Sequence, residues 1–159
     1  MINSLSKAYQ NYLKRENTLN KAHLITAFIA RIYIAKVFFY AGLTKIQDWD
    51  TTLFLFEEEY QVPLIPFELA AILGTMGELI LPVLLFLGLL SRFSALGLFV
   101  VNFVAVISLV DIAPAALYLH YIWGLLLAQI TIYGAGPIAL DNAAYRLLQH
   151  SKLKSRAIA

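Results

Sequence analysis

The sequence predicts an all-α integral membrane protein: a four-helix bundle, antiparallel and up-down, with amphipathic surface helices at its N- and C-termini. Three observations lead there. Hydrophobic residues make up 60% of the 159-residue chain and charged residues 14%, too apolar for an ordinary soluble domain. Four windows, 23–46, 66–90, 93–112 and 116–135, each supply the roughly 20 apolar residues needed to cross a hydrocarbon core of about 30 Å. The later windows are joined only by Ser91-Arg92 and by the Ala113-Pro114 corner, and links that short make neighbouring helices antiparallel.

Each element follows from local pattern. In residues 1–22, Leu5, Tyr9 and Leu13 recur at four-residue steps among polar residues, the mark of an amphipathic helix lying on the inner leaflet or docking a cytoplasmic partner. The first window is too long for the apolar core of a secretory signal and lacks a small-residue cleavage pattern, so it is expected to stay in the mature protein. The loop 47–65 carries TTLFLFEEEYQVPLIP, read as an interfacial turn or short helix with Pro63 and Pro66 directing the chain into the second span. There, Gly74 and Gly77 permit close helix approach, and Pro82 removes the amide that the Glu78 carbonyl would otherwise accept, which predicts a kink or widened turn. Tyr133-Gly134-Ala135-Gly136-Pro137 stops the fourth span. In the tail 136–159, Ala139, Ala143, Leu147 and Leu148 alternate with Arg146 and Lys152 as a second amphipathic helix.

Charge segregates along the chain. Lys7, Lys14, Arg15, Lys21, Arg92, Arg146, Lys152, Lys154 and Arg156 flank one side, which places both termini in the cytoplasm. Asp48, Asp50, Glu57, Glu58, Glu59 and Asp111 make the other side acidic; in a bacterium it faces the periplasm. The absence of cysteine excludes disulfides, thiolate metal sites, CxxC redox pairs and cysteine nucleophiles. No metal site is expected either, because His23, His120 and His150 lack ligand spacing. Nothing in the pattern predicts nucleic acid as a partner.

The polar residues inside the spans are the candidate site. An ionised side chain deep in a bilayer is expected to be paired or turned into a bundle. Counted from Lys21, Arg31 lies about 15 Å deep, and counted from Pro66, Glu78 lies about 18 Å deep from the other side, so the two are expected to pair near the midplane. Lys45 and Glu68 repeat that arrangement at the outer rim. On the helical wheel Lys36 points about 140° from Arg31, toward another span where Asn102 and His120 offer polar partners. Such groups either lock helix register or line a site for an anionic or carbonyl-bearing lipophilic ligand. His120, beside Tyr121 and Trp123, reads as a proton relay, an axial ligand or an interfacial anchor. Asp141 is expected to cap the following helix or to pair with Arg92.

From about residue 27 to 141 the sequence resembles the DoxX family of small four-helix bacterial inner-membrane proteins. Arg31 followed by FFYAGLTKI is similar to the family's helix-one arginine and Gly-x-x-Lys, here Gly42 to Lys45. GELILPVLLFLGLLSRFSALGL is similar to its helix-two glutamate, Glu78, and its Leu-Gly-x-x-[Ser/Thr]-Arg turn through Gly88 and Arg92. Gly134-x-Gly136 followed by Leu140-Asp141 resembles its exit from helix four. The resemblance implies bacterial membrane redox work: quinone-reducing subunits in thiosulfate oxidation, which need a protein partner, or scaffolds in oxidative-stress assemblies. Lys36 and the N-terminal extension lie outside these motifs. Together these readings predict an inner-membrane component of a redox-linked assembly, with a quinone docked near Arg31, Lys36, Glu78 and His120. The alternatives are a non-catalytic scaffold or assembly factor and, with less behind it, a small-solute transporter, since no internal repeat is present. A homo-oligomer is compatible with each.

Overall fold

A computed structural model describes residues 2–134, 136, 139–142 and 145, apart from the side chains of 2–5, 8, 11 and 14–23. The chain forms α1 (Ile2–Gln47), α2 (Trp49–Glu58), α3 (Phe67–Leu87), α4 (Ser91–Ser108) and α5 (Pro114–Tyr133). Among the described residues the only strand-like pairing is an isolated bridge between Tyr60 and Leu109. Leu24–Gln47, Phe67–Leu87, Ser91–Ser108 and Pro114–Tyr133 are each long and apolar enough to cross a membrane, and the protein is a multi-pass membrane protein.

One element differs from expectation. Instead of a separate surface helix before the first span, α1 runs for 46 residues without interruption. Neither glycine nor proline occurs before Gly42, so nothing in the backbone chemistry breaks the helix where it leaves the apolar stretch. Residues 2–23 therefore continue the axis for about 33 Å beyond the span. Of the amphipathic pattern expected after Pro137, Ala139 is buried, while Ala143, Leu147 and Leu148 lie outside the described residues.

Helix ends are set by identifiable groups. Asp48 caps α2 by accepting hydrogen bonds from the Thr51 amide at 3.0 Å and the Thr51 hydroxyl at 2.7 Å, which hold its carboxyl below the usual pKa. Gly88 ends α3 in the left-handed region at φ +71, where a side chain is strained. Pro114 starts α5 at a position that needs no amide donor. Gly134, at φ 82, terminates α5, its amide donating to the Ile130 carbonyl at 2.7 Å.

Helix α3 packs against α1, α2 and α4, while α5 packs on α4 and, less extensively, on α1. Ile34, Phe38, Leu85, Ala95, Leu98, Leu127 and Ile130 form the principal apolar core. A smaller cluster joins Phe56 of α2 to Ala70 and Ala71 of α3. The loop after α2 is tied to the end of α4, where the Gln61 amide donates to the Ser108 carbonyl at 2.9 Å. Much of the outer wall is apolar and exposed, including Ile25, Ile80, Phe86, Phe103, Leu125 and Ile132, as a hydrocarbon solvent requires. α1 and α3 approach closely at Gly42, where a Cβ would stand 2.9 Å from Leu79 Cγ and 3.1 Å from the Glu78 backbone.

Candidate functional site

That close approach determines which charges meet. Gly42 brings the backbone of Glu78 against α1, and the Lys45 ammonium lies 2.5 Å from Glu78 Oε2. Helical side chains lean toward the N-terminus, so Lys45 reaches back into the bundle instead of outward to Glu68. Glu68 is exposed in the first turn of α3, where its charge suits the helix dipole. Neither expected pair forms as predicted: Glu78 takes Lys45, and Arg31 lies elsewhere.

Arg31 is buried at the opposite end of the α1–α3 seam, 2.8 Å from where a Cβ on Gly88 would sit, with its guanidinium 5.1 Å from the Phe28 ring centroid. The eleven-residue step from Arg31 to Gly42 separates it from Glu78 by about 16 Å. Counting from Lys21 placed it too deep, because the apolar stretch begins at Leu24. Its electrostatic partner is Asp141. That carboxylate caps α4 from a distant part of the chain: Oδ1 accepts the Leu90 amide at 2.8 Å, and Oδ2 accepts the Ser91 amide at 2.9 Å and hydroxyl at 2.8 Å. Burial opposes the Asp141 charge, but the Ser91 and Leu90 hydrogen bonds and the Arg31 field outweigh it, so its pKa lies below the ordinary value. Asp141 thus caps α4, about fifty residues earlier in the chain, while the helix expected after it lies outside the described residues, and Arg92 is exposed beside Gly134. Across the connection, Asn142 donates to the Gly136 carbonyl at 2.7 Å.

Asn102 and His120 pair with each other. Asn102 Nδ2 donates to the His120 carbonyl at 3.0 Å, and the two side chains meet at 2.8 Å through His120 Nδ1 and Asn102 Oδ1. The imidazole packs edge-on against Trp123, which in turn meets Phe38 and donates to the Tyr33 hydroxyl at 3.2 Å. A Cβ on Gly77 would lie 3.1 Å from Val101, so Glu78 and Asn102 lie within about a helical turn of each other in height on adjacent helices.

Lys36 does not reach these residues. It is exposed on the outer wall of α1, its ammonium 5.9 Å from the Tyr40 ring centroid, and no ion pair engages it among the described residues. Twelve residues past Leu24, it sits about 18 Å into the span. It borders an apolar groove of about 370 Å³ between α1 and α3, walled by Ile32, Ala35 and Phe39 on one side and Pro82, Val83 and Phe86 on the other.

Sequence reasoning passed over Tyr60 and Thr75. Tyr60 lies half-buried above Glu78, where burial, then the Glu78 and Glu59 charges, push its phenol above its ordinary pKa. Thr75 is buried one turn before Glu78, and that three-residue spacing was the available signal. Among the described residues no three His, Cys, Asp or Glu side chains gather as metal ligands. A family model matches residues 26–111, and the family is DoxX. No curated protein and no solved structure matches the chain.

Proposed function

Because the chain belongs to the DoxX family, we propose that it is the membrane subunit of a redox-linked assembly and docks a quinone in the groove beside Lys36. One observation carries the reading: while Glu78, Arg31 and His120 are engaged inside the protein, Lys36 presents a cation to an apolar groove at mid-depth. A cation at the bilayer centre costs about 2.5–3.5 kcal/mol, and a ligand oxygen beside it offsets that cost. The groove fits a lipophilic carbonyl compound, with Phe39 and Phe86 in its walls for a ring and Lys36 as the polar group that orients it. Quinone supplies the electron-accepting chemistry when bound. Lys36 would donate a hydrogen bond to a carbonyl oxygen and stabilise negative charge developing there. Electrons would come from a protein partner, since this chain has no cysteine with which to handle sulfur or thiols.

The finer arrangement belongs to the same proposal. The helices alternate in direction, supported by Gly42 meeting Leu79 while Gly88 meets Arg31. Both termini lie in the cytoplasm of a bacterium, supported by the cation distribution and the positive-inside rule. A second reading, the non-catalytic scaffold, is favoured by the internal pairing of Arg31, Glu78 and His120, which suits groups that fix register.

Thermal unfolding in lipid nanodiscs separates the two. A short-chain quinone raises the Tm of the wild-type protein and has no effect on Lys36→Met if the groove is the site. Equal shifts in both proteins, or none in either, refute docking at Lys36 and leave the scaffold.

A further inference from the structure

Two hydroxyls near the α2 end of the bundle are buried without a hydrogen-bond partner among the described residues. They belong to Thr75 and Ser108, which are 3% and 2% exposed. Thr75 shares the inward stripe of α3 with Glu78, the face that meets Gly42 and Lys45 of α1. Ser108 ends α4, and its carbonyl holds the loop that carries Tyr60.

An orphaned buried hydroxyl costs about 1–3 kcal/mol. Helical threonines usually avoid this by bonding the carbonyl one turn back, as Thr131 does with Leu127 at 2.8 Å. Thr75 makes no such bond. Pro82, on the same stripe of α3, has no amide to offer the Glu78 carbonyl four residues earlier. Toward the α2 end from the Lys45–Glu78 pair there are thus buried hydroxyls that lack protein partners among the described residues, and water is a ligand that both donates to and accepts from such groups.

We propose that ordered water occupies the seam beside Thr75, Ser108 and the Lys45–Glu78 pair, and gives Glu78 a proton-exchange route past Tyr60 to the α2 end of the bundle. The step is proton transfer alone. Water gives a proton to the carboxylate and recovers one from solvent; in the reverse direction the carboxyl releases it along the same path, and only O–H bonds change. The ionisable groups facing Glu78 are Lys45 from α1 and, from the loop, Tyr60, which itself feels the Glu59 charge; the Asn102–His120 pair of α4 and α5 lies within about a helical turn of it in height. This inference is independent of the Lys36 groove.

The test is infrared difference spectroscopy of the full chain in lipid nanodiscs after a rapid drop from neutral to acidic pH, with Glu78→Gln identifying the carboxyl bands. Wild-type Glu78 is expected to respond rapidly. Thr75→Val slows the response about tenfold, the scale of one lost water-mediated hydrogen bond, while Thr75→Ser restores it. Thr75→Val also lowers the Tm if water is present, whereas removing a hydroxyl from a dry site leaves the Tm unchanged or raises it. A Glu78 band that ignores the jump in folded protein, or an unaltered rate in Thr75→Val, overturns the proposal. If Thr75→Val does not fold, Ser108→Ala tests it by the same readings. No quinone enters the assay, so its failure is separable from failure of docking at Lys36.

Discussion

Replacing Lys45 with methionine leaves the Glu78 carboxylate in the bundle without its cation, and breaking a buried pair on one side costs about 3–5 kcal/mol. Because the two side chains keep 20% and 10% exposure, the lower end of that range is expected for Lys45→Met. Adding Glu78→Gln should recover part of it, and chemical unfolding of the two single variants and the double variant in micelles measures the coupling. Asp141→Ala removes the acceptor from the Leu90 and Ser91 amides, a loss of about 1–2 kcal/mol by analogy with helix caps. The depressed pKa of Asp141 fixes the pH dependence. Its stabilisation is complete above the ordinary carboxylate pKa of about 4 and disappears as pH falls through the lower folded-state value. The stability gap between wild type and Asp141→Asn therefore narrows on acidification, which unfolding curves at neutral and strongly acidic pH would record. The same residues show where sequence reading stops. A helical wheel gave the direction of Lys36 relative to Arg31, but direction alone does not say whether a face meets protein or lipid. The expectation that charges turn inward sent Lys36 to the wrong side.

At the scale of elements, the α1–α3 seam depends on the missing side chain of Gly42. Leu79 Cγ, 2.9 Å from a Cβ placed there, is not a freely moving chain end, so Gly42→Ala forces the helices apart at a cost of about 1–3 kcal/mol. Gly42→Ala combined with Leu79→Ala should be less destabilised than the two changes summed, a result that thermal unfolding can read. α1 offers a separate prediction. The chain has no cysteine, so paired spin labels can replace Lys7 and Tyr40 without background. An unbroken helix places these positions about 50 Å apart, and a helix that folds onto the membrane surface gives a clearly shorter distance. The spans were legible because their length and hydropathy answer to bilayer thickness. The junction between lead and span was not, because a change in polarity resembles a boundary even when the backbone has no reason to break.

Across the whole molecule, the polar groups fall into separate stations. Arg31 and Asp141 brace one end, Lys45 with Glu78 and Asn102 with His120 lie nearer α2, and Lys36 stands beside Tyr40 on the outer wall with no ion pair among the described residues. The sequence supplied this cast of residues but not its grouping, because axial register comes from close packing at Gly42 and Gly88, which hydropathy does not encode. The grouping moves the proposed docking site from the interior to the lipid-facing groove. Photo-crosslinking with a quinone that carries a diazirine near its ring, followed by peptide mapping of protein in nanodiscs, tests that most directly. Adducts on the α1 and α3 walls flanking Lys36, lost with excess unlabelled quinone and in Lys36→Met, are the predicted result. Labelling centred on His120 and Trp123, or spread evenly over the apolar surface, contradicts it.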